Sequence, residues 1–322
     1  MAIKVAFIGS GGIAGYHLSH LEKIQDVKLV GFCDTQADRA QARAKHYKAK
    51  AYADHRRMLD ATKPDAVYVC TPPFAHGQLE LDAVARGCHL FVEKPIATTM
   101  ETAQEIRDAI AKAGVVSAVG YQDRYQDIIA KLRLILRKRK IATAMGYWMG
   151  GMPGVAWWRV KAQSGGQHTE QTTHIFDMMR YLFGEAKTVY AAASRGLMTA
   201  VPNYDVEDVS AATLVFHDGL VATVYSACCL KAGGKCGIDI YCTDCRIEHV
   251  ERQSVTTREA ARTEEIRNVA DYGQAIDEAF IAAVRTKGKE NKVLSPYADA
   301  CKSLALSLAV DRSLAAGQPV EV

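Results

Sequence analysis

No run of about 18 consecutive apolar residues occurs in this 322-residue chain, so no segment reads as a membrane-spanning helix. Charge of one sign is also missing. Forty Lys and Arg against 36 Asp and Glu leave a net +4, too little over this length to point to a nucleic acid or a membrane surface as partner. The dense basic run Arg137-Lys138-Arg139-Lys140 closes a helix-patterned stretch carrying Ile128, Leu132, Ile135 and Leu136, where cations complement a helix C-terminus. There is no internal repeat and no low-complexity segment. Nine cysteines show no secreted-type framework and read as reduced thiols used as small core residues. Cys236, Cys242 and Cys245 with His249 have a formal zinc spacing. Alternation in Gly237-Ile238-Asp239-Ile240-Tyr241 and Arg246-Ile247-Glu248 predicts instead a hairpin turning at Cys242-Thr243-Asp244-Cys245, and no metal is expected.

What is present is an ordinary globular composition, 49% hydrophobic and 24% charged, with enough core for the two domains that the length suggests. The apolar run Ile3-Lys4-Val5-Ala6-Phe7-Ile8 ends at Gly9-Ser10-Gly11-Gly12-Ile13-Ala14, which reads as a dinucleotide turn. Gly9 and Gly11 let the main chain approach a pyrophosphate, Ala14 packs the next helix close, and that helix's free N–H groups face the phosphates. Gly9, Ser10, Gly11, Gly12 and Ile13 are therefore candidate cofactor contacts. A second apolar run, 27–33, ends at Asp34, at the distance where an acid takes the adenosine ribose hydroxyls. An acid repels a 2'-phosphate and no Arg follows at Thr35 or Gln36, so NAD is favoured over NADP. Because this motif's strand occupies the first ten residues, no cleavable leader is expected, and the protein is expected to be cytoplasmic.

Up to about Gly120 the pattern alternates short strands near 3–8, 27–33, 66–70, 88–92 and 115–119 with helices near 12–24, 36–47, 54–61, 76–86 and 99–113. That predicts a doubly wound parallel sheet. Beyond it come a helix near 123–137 and strands near 141–149, 186–195, 207–216, 219–229, 236–242 and 245–250, with Asp218-Gly219 as a hairpin turn. Strands that succeed one another without helices predict a large, mostly antiparallel open sheet, followed by helices near 272–286 and 296–316. The expected domains are 1–120, binding the nucleotide, and 121–322, an α+β domain for substrate and oligomer contacts.

Three clusters exceed what a plain nucleotide fold needs. Cys70-Thr71-Pro72-Pro73-Phe74-Ala75-His76 forms a stiff turn at a strand's C-terminal end, where open parallel sheets bind ligands; Thr71, Pro72 and His76 are candidate cofactor contacts. Glu93-Lys94-Pro95 sits at another such end, with Pro95 keeping Lys94 extended. A Lys beside a nicotinamide can donate to a substrate oxygen and stabilise developing negative charge. The third cluster opens at Gly165-Gly166 and is predicted to run as one helix to about Phe183, with Glu170, His174 and Asp177 on one face. His174 can exchange a proton near neutral pH. Metal ligation by His168, Glu170 and His174 is the rival reading of these residues. Tyr121 and Gln122 join the candidate substrate contacts, as do Trp157, Trp158 and Arg159 in the loop from Met149, where paired indoles suit stacking on a sugar ring.

Together the Gly9 to Ala14 loop, Asp34, Thr71-Pro72 with His76, Glu93-Lys94-Pro95, and Gly165-Gly166 followed by Glu170, His174 and Asp177 resemble the Gfo/Idh/MocA oxidoreductases over essentially the whole length. The resemblance implies a Rossmann domain, a C-terminal domain whose sheet is often used for dimer or tetramer contacts, and substrates among cyclic polyols and pyranoses. It places Lys94, Glu170 and His174 on that family's catalytic Lys, acid and His. The family commonly has Asp at Glu170 and Gly at Thr172, and a positioning change of about 1 Å can cost about 100-fold in rate. Hydride transfer between NAD and a secondary hydroxyl of a sugar, cyclitol or glycoside is thus expected, with Lys94, Glu93 and the nucleotide turn at the cofactor. The alternatives are an NAD-recycling enzyme that cleaves glycosides by oxidation, elimination and reduction, and a non-catalytic sensor of sugar and nucleotide.

Overall fold

The computed structural model describes residues 2–322. Strands and helices first alternate: β1 (Ile3–Ile8), α1 (Gly12–Leu21), β2 (Val27–Cys33), α2 (Ala37–Tyr47), β3 (Lys50–Tyr52), α3 (His55–Thr62), β4 (Ala66–Val69), α4 (Gln78–Ala85), β5 (His89–Val92), α5 (Met100–Ala113) and β6 (Ser117–Val119). After these come α6 (Asp127–Leu136), β7 (Ile141–Met149), α7 (Lys161–Ser164), α8 (Gly166–Glu170), α9 (Thr173–Phe183), β8 (Ala186–Ser194), β9 (Val209–Phe216) and β10 (Val221–Ala227). The chain ends with β11 (Lys235–Cys242), β12 (Cys245–Val250), β13 (Ser254–Glu259), β14 (Thr263–Arg267), α10 (Tyr272–Arg285), α11 (Tyr297–Ala316) and β15 (Val320–Glu321).

Two compact units result, one of residues up to 122 with 271–301, the other of 123–270 with 302–322. The expected split into 1–120 and 121–322 has the chain cross once, whereas here it returns to the first unit over 271–301. Long-range bonds cause this. Val119 N–H donates to Ser295 O at 2.9 Å, the Ser295 hydroxyl donates to Val119 O at 2.7 Å, and Phe280 sets its ring edge-on to Tyr68 and Phe91. None of these partners is adjacent in sequence, so no local pattern announces them.

The first unit's six strands are all parallel in the order β3-β2-β1-β4-β5-β6. β1 and β4 flank the switch point, so the C-terminal ends of β1, β2, β4 and β5 deliver Gly9, Asp34, Thr71 and Lys94 to one edge. The strands are buried on both faces, as Val5, Phe7, Val67, Tyr68, Leu90 and Phe91 show, which is why they read as continuous apolar runs.

The second unit's sheet has nine strands in the order β14-β13-β12-β11-β7-β10-β9-β8-β15, parallel only where β7 meets β10. Alternating burial along β9 and β10 shows one face packed. That face carries Leu214, Val224, Ile238 and Ile247 against Ile128 and Leu132 of α6, Ile175 and Met179 of α9, and Leu306 and Val310 of α11. Gly146 sets the spacing, because a Cβ there would lie 2.5 Å from Ile175 Cγ2 and 2.9 Å from Met179 Cε. Helix α9 therefore sits close over β7. The hairpins at Asp218-Gly219 and Cys242–Cys245 form as expected. Strands β3, β13, β14 and β15 go beyond the sequence reading. β3 and β15 are only 3 and 2 residues long, and β13 and β14, at one end of the sheet, are mostly polar and charged, with Val255 and Ile266 their only apolar residues.

Candidate functional site

In the first unit, the turn after β1 is shaped by close backbone approach. Gly9 has φ +90°, and a Cβ there would stand 2.2 Å from Cys70 O, so only glycine lets β1 and β4 end side by side. Asp34 braces the turn from β2, accepting Ser10 N–H at 2.7 Å and Gln36 N–H at 2.8 Å. Gly11 caps α1 without a side-chain bond, no acid lies in the helix's first turn, and a Cβ at Gly11 or Gly12 would meet nothing within 4 Å. The hydroxyls of Ser10 and Thr71 are buried without a partner, and so is Nε2 of His76, whose Nδ1 is anchored on Glu80 at 2.5 Å. A helix N-terminus clear of acids, glycines open on their outer side and donors awaiting an acceptor fit a dinucleotide pyrophosphate. Gly9, Ser10, Gly11, Gly12, Ile13, Asp34, Thr71, Pro72 and His76 would hold NAD. Ile13 is exposed and Pro72 half-buried beside them. Glu93 and Lys94 follow at the end of β5, Glu93 buried and Lys94 half-buried. Tyr121 is buried, and Gln122 half-buried.

In the second unit, the helix expected from Gly165 to Phe183 is broken. Gln171 and Thr172 N–H both donate to Gln167 O, at 3.0 and 2.9 Å, and the next turns tighten, with His174 N–H on Gln171 O at 3.3 Å. Thr172 is also tied to β10 by a hydroxyl bond to Ser226 at 2.9 Å. Glu170 therefore ends α8 and His174 lies in the first turn of α9, which corrects the single shared face expected for them. The ring of His174 stacks on Trp148, 5.3 Å between centroids, and its Nδ1 pairs with Asp123 at 3.1 Å. Arg252 donates to the same carboxylate at 2.8 and 3.2 Å. Burial raises the Asp123 carboxyl, but His174 and Arg252 outweigh it and hold the group well below the usual carboxylate range. Behind this pair Glu251 accepts from Gln126 at 2.7 Å; burial, then the Asp123 charge, pushes it up to about 8. His249, wholly buried, is pushed down to about 4 by burial.

The other candidates of this unit separate by burial and bonding. Trp158 is wholly buried with Val206 and Cys228, and its Nε1–H donates to Glu170 Oε2 at 2.7 Å. The expected stacking of Trp158 on a sugar is thus corrected: its indole belongs to the core and holds Glu170. Trp157 and Arg159 stay half-buried. Asp177 accepts from Arg124 at 2.8 and 2.5 Å and from the Ser303 hydroxyl at 2.6 Å, so it ties α9 to the turn before α6 and to α11. His168, Glu170 and His174 do not form one ligand set. His168 bonds Ser210 at 2.5 Å and lies 3.8 Å from Asp311 instead. Asp123, Arg252 and Trp148 escape the sequence reading, since each comes from a different element and only the fold brings them to His174.

A doubly wound sheet with this glycine turn, joined to an open mixed sheet carrying the His174–Asp123 pair, defines a two-domain dinucleotide-binding oxidoreductase. Residues 3–121 match the oxidoreductase family with an NAD-binding Rossmann fold, and residues 139–248 match the GFO/IDH/MocA C-terminal domain. The chain belongs to this GFO/IDH/MocA family of NAD-binding oxidoreductases. It is 33% identical to D-glucoside 3-dehydrogenase of Escherichia coli (strain K12), over 67% of this chain and 68% of that one. It is 26% identical to myo-inositol 2-dehydrogenase of Thermotoga maritima, over 69% and 67% of the two chains. Among solved structures, aldose-aldose oxidoreductase from Caulobacter crescentus, complexed with glycerol, superposes over 100% of both chains with a TM-score of 0.88 at 20% identity. Among the described residues no helix is long and apolar enough to cross a membrane.

Proposed function

We propose that this enzyme moves a hydride between NAD and a secondary hydroxyl of a sugar, cyclitol or glycoside, as a cytoplasmic homo-oligomer. NAD, when bound, supplies the hydride acceptor. The observation that carries the reading is the His174–Asp123 pair, a buried imidazole whose Nδ1 lies 3.1 Å from a carboxylate that also accepts two bonds from Arg252. An imidazole fixed in this way leaves Nε2 to take the alcohol proton. Lys94, at the strand-end edge that carries the nucleotide turn, donates to the substrate oxygen and stabilises its developing charge. Glu170, held by Trp158, orients a neighbouring hydroxyl, and Tyr121, Gln122, Trp157 and Arg159 complete the contacts to the ring. The carbohydrate class is supported by the names of the two relatives, a glucoside and an inositol dehydrogenase.

A screen of NADH absorbance over cyclitols, free sugars, sugar acids and glycosides, run with NAD and NADP, tests the proposal. Turnover with NAD on at least one carbohydrate is expected. Lys94→Ala and His174→Ala should each lower it by about 100-fold or more, with NAD affinity little changed. Near-wild-type turnover in both variants would falsify the roles. Release of aglycone without net NADH would convert the reading to cofactor recycling, and tight NAD binding with no turnover on any carbohydrate would convert it to sensing.

A further inference from the structure

A buried chain of hydrogen bonds in the first unit centres on His17 and Asp277, which have been given no role above. His17 on α1 is 1% exposed. Its Nδ1 lies 2.9 Å from Asp277 of α10, and its Nε2 lies 2.9 Å from Glu93 Oε1. Asp277, wholly buried, also meets His20 Nδ1 at 2.8 Å and accepts the Tyr68 hydroxyl at 3.0 Å. A neutral imidazole carries one N–H, so it would turn a lone pair toward one of the two carboxylates. Only the imidazolium satisfies both ends. Burial opposes that charge, yet Asp277 and Glu93 outweigh it and push His17 up to about 10.

Other groups face the clamp without competing for it. Tyr68 of β4 and Cys70 just after it are both raised by burial first and by the neighbouring carboxylates next, and so stay neutral. His17, His20 and Asp277 bring ligand atoms within 4.8 Å of one another, a spacing that a metal could use. Those atoms are already joined to each other by hydrogen bonds.

The chain ends at Glu93, the residue before Lys94. Glu93 Oε2 accepts the Lys94 N–H at 3.2 Å, and a Cβ on Gly120 would stand 2.3 Å from Oε1. The carboxylate is thereby fixed by the imidazolium, by the peptide that follows and by the backbone packed against it.

We propose that His17 and Asp277 are positioning residues for Lys94. The imidazolium clamps Glu93, and Glu93 fixes the peptide from which the Lys94 side chain leaves the sheet. The effect on turnover rests on the role proposed for Lys94, whereas the clamp itself does not. His17→Gln keeps a hydrogen-bonding side chain without the charge. In the full-length protein, acetylation of Lys94 by acetic anhydride, followed by peptide mass spectrometry against the exposed Lys231, should change about threefold or more in this variant. Circular dichroism should remain native. Turnover should fall about 10-fold with NAD affinity kept, and His17→Gln should add nothing to Lys94→Ala, because it acts through that residue. If His17→Gln does not fold, Asp277→Asn replaces it. An unchanged Lys94 labelling ratio in a folded variant, or losses that multiply in the double variant, would overturn the inference. If Lys94→Ala alone keeps wild-type turnover, the catalytic reading falls while the labelling ratio still decides the clamp.

Discussion

Replacing Gly9 and then Gly11 by alanine separates what the nucleotide turn needs for its own folding from what it needs for its ligand. Gly9 has φ +90°, and a Cβ there would stand 2.2 Å from Cys70 O and 2.7 Å from the carbonyl carbon, against an ordinary contact of 3.4 Å or more. The ends of β1 and β4 would have to part by about 1 Å. The left-handed backbone costs about 1–2 kcal/mol and forced repacking about 1–3 kcal/mol, so Gly9→Ala should lose about 2–5 kcal/mol. At about 2–4 °C per kcal/mol, that is a melting point roughly 4–20 °C lower. Gly11 has φ −75° and ψ −157°, with nothing within 4 Å of its Cβ position. Gly11→Ala should therefore stay within about 0.5 kcal/mol of wild type. Its methyl group would nevertheless project into the open side of the turn, where the proposed pyrophosphate would sit, so NAD affinity should fall about 10-fold or more. Thermal unfolding without NAD and calorimetric titration with NAD measure the two effects. If Gly9→Ala melts with wild type, or Gly11→Ala is destabilised as much as Gly9→Ala, the division of roles is wrong.

Asp177→Asn leaves the buried guanidinium of Arg124 without its carboxylate, which should cost about 3–5 kcal/mol. A calorimetric scan should show that loss while NAD affinity stays at the wild-type value; an unchanged melting point would remove the structural role given to Asp177. For Glu251, pushed up to about 8 by burial and then by Asp123, the folded protein keeps a proton that the unfolded chain gives up near pH 4.3. Stability from this group is therefore present in acid and is lost as pH rises from about 4.3 to about 8. Glu251→Gln should melt above wild type at pH 9 but not at pH 4, and parallel melting curves across that range would count against the shift. Asp123→Asn, which removes the carboxylate shared by His174 and Arg252, should lower turnover about 100-fold with NAD affinity within about threefold. Full activity in that variant would show that His174 needs no such partner.

The first unit is legible wherever an element's surroundings repeat along the chain. β1 and β2 begin and end at the predicted residues because parallel strands covered on both faces must be apolar throughout, and the glycines and Asp34 follow them at fixed distances. Lys94 is readable for the same reason, as a charge placed directly after a buried strand. The second unit is legible where one face of a strand alternates, as in β7 and β12, which match their predicted bounds. It becomes illegible where polar edge strands such as β14 carry no such contrast.

Composition, periodicity and the spacing of glycines, acids and prolines suffice for the two-sheet architecture, the dinucleotide turn and the candidate Lys94 and His174, because each depends on neighbours within about one element of the chain. Tertiary structure alone decides that Asp123, Arg252 and Trp148 surround His174, and that Trp158 is a core residue. It also interrupts the helix at Gln171 and Thr172 and brings Asp277 back to His17 across 260 residues. Contacts of that range are set by which surfaces pack together, and a linear pattern carries no record of the packing partner.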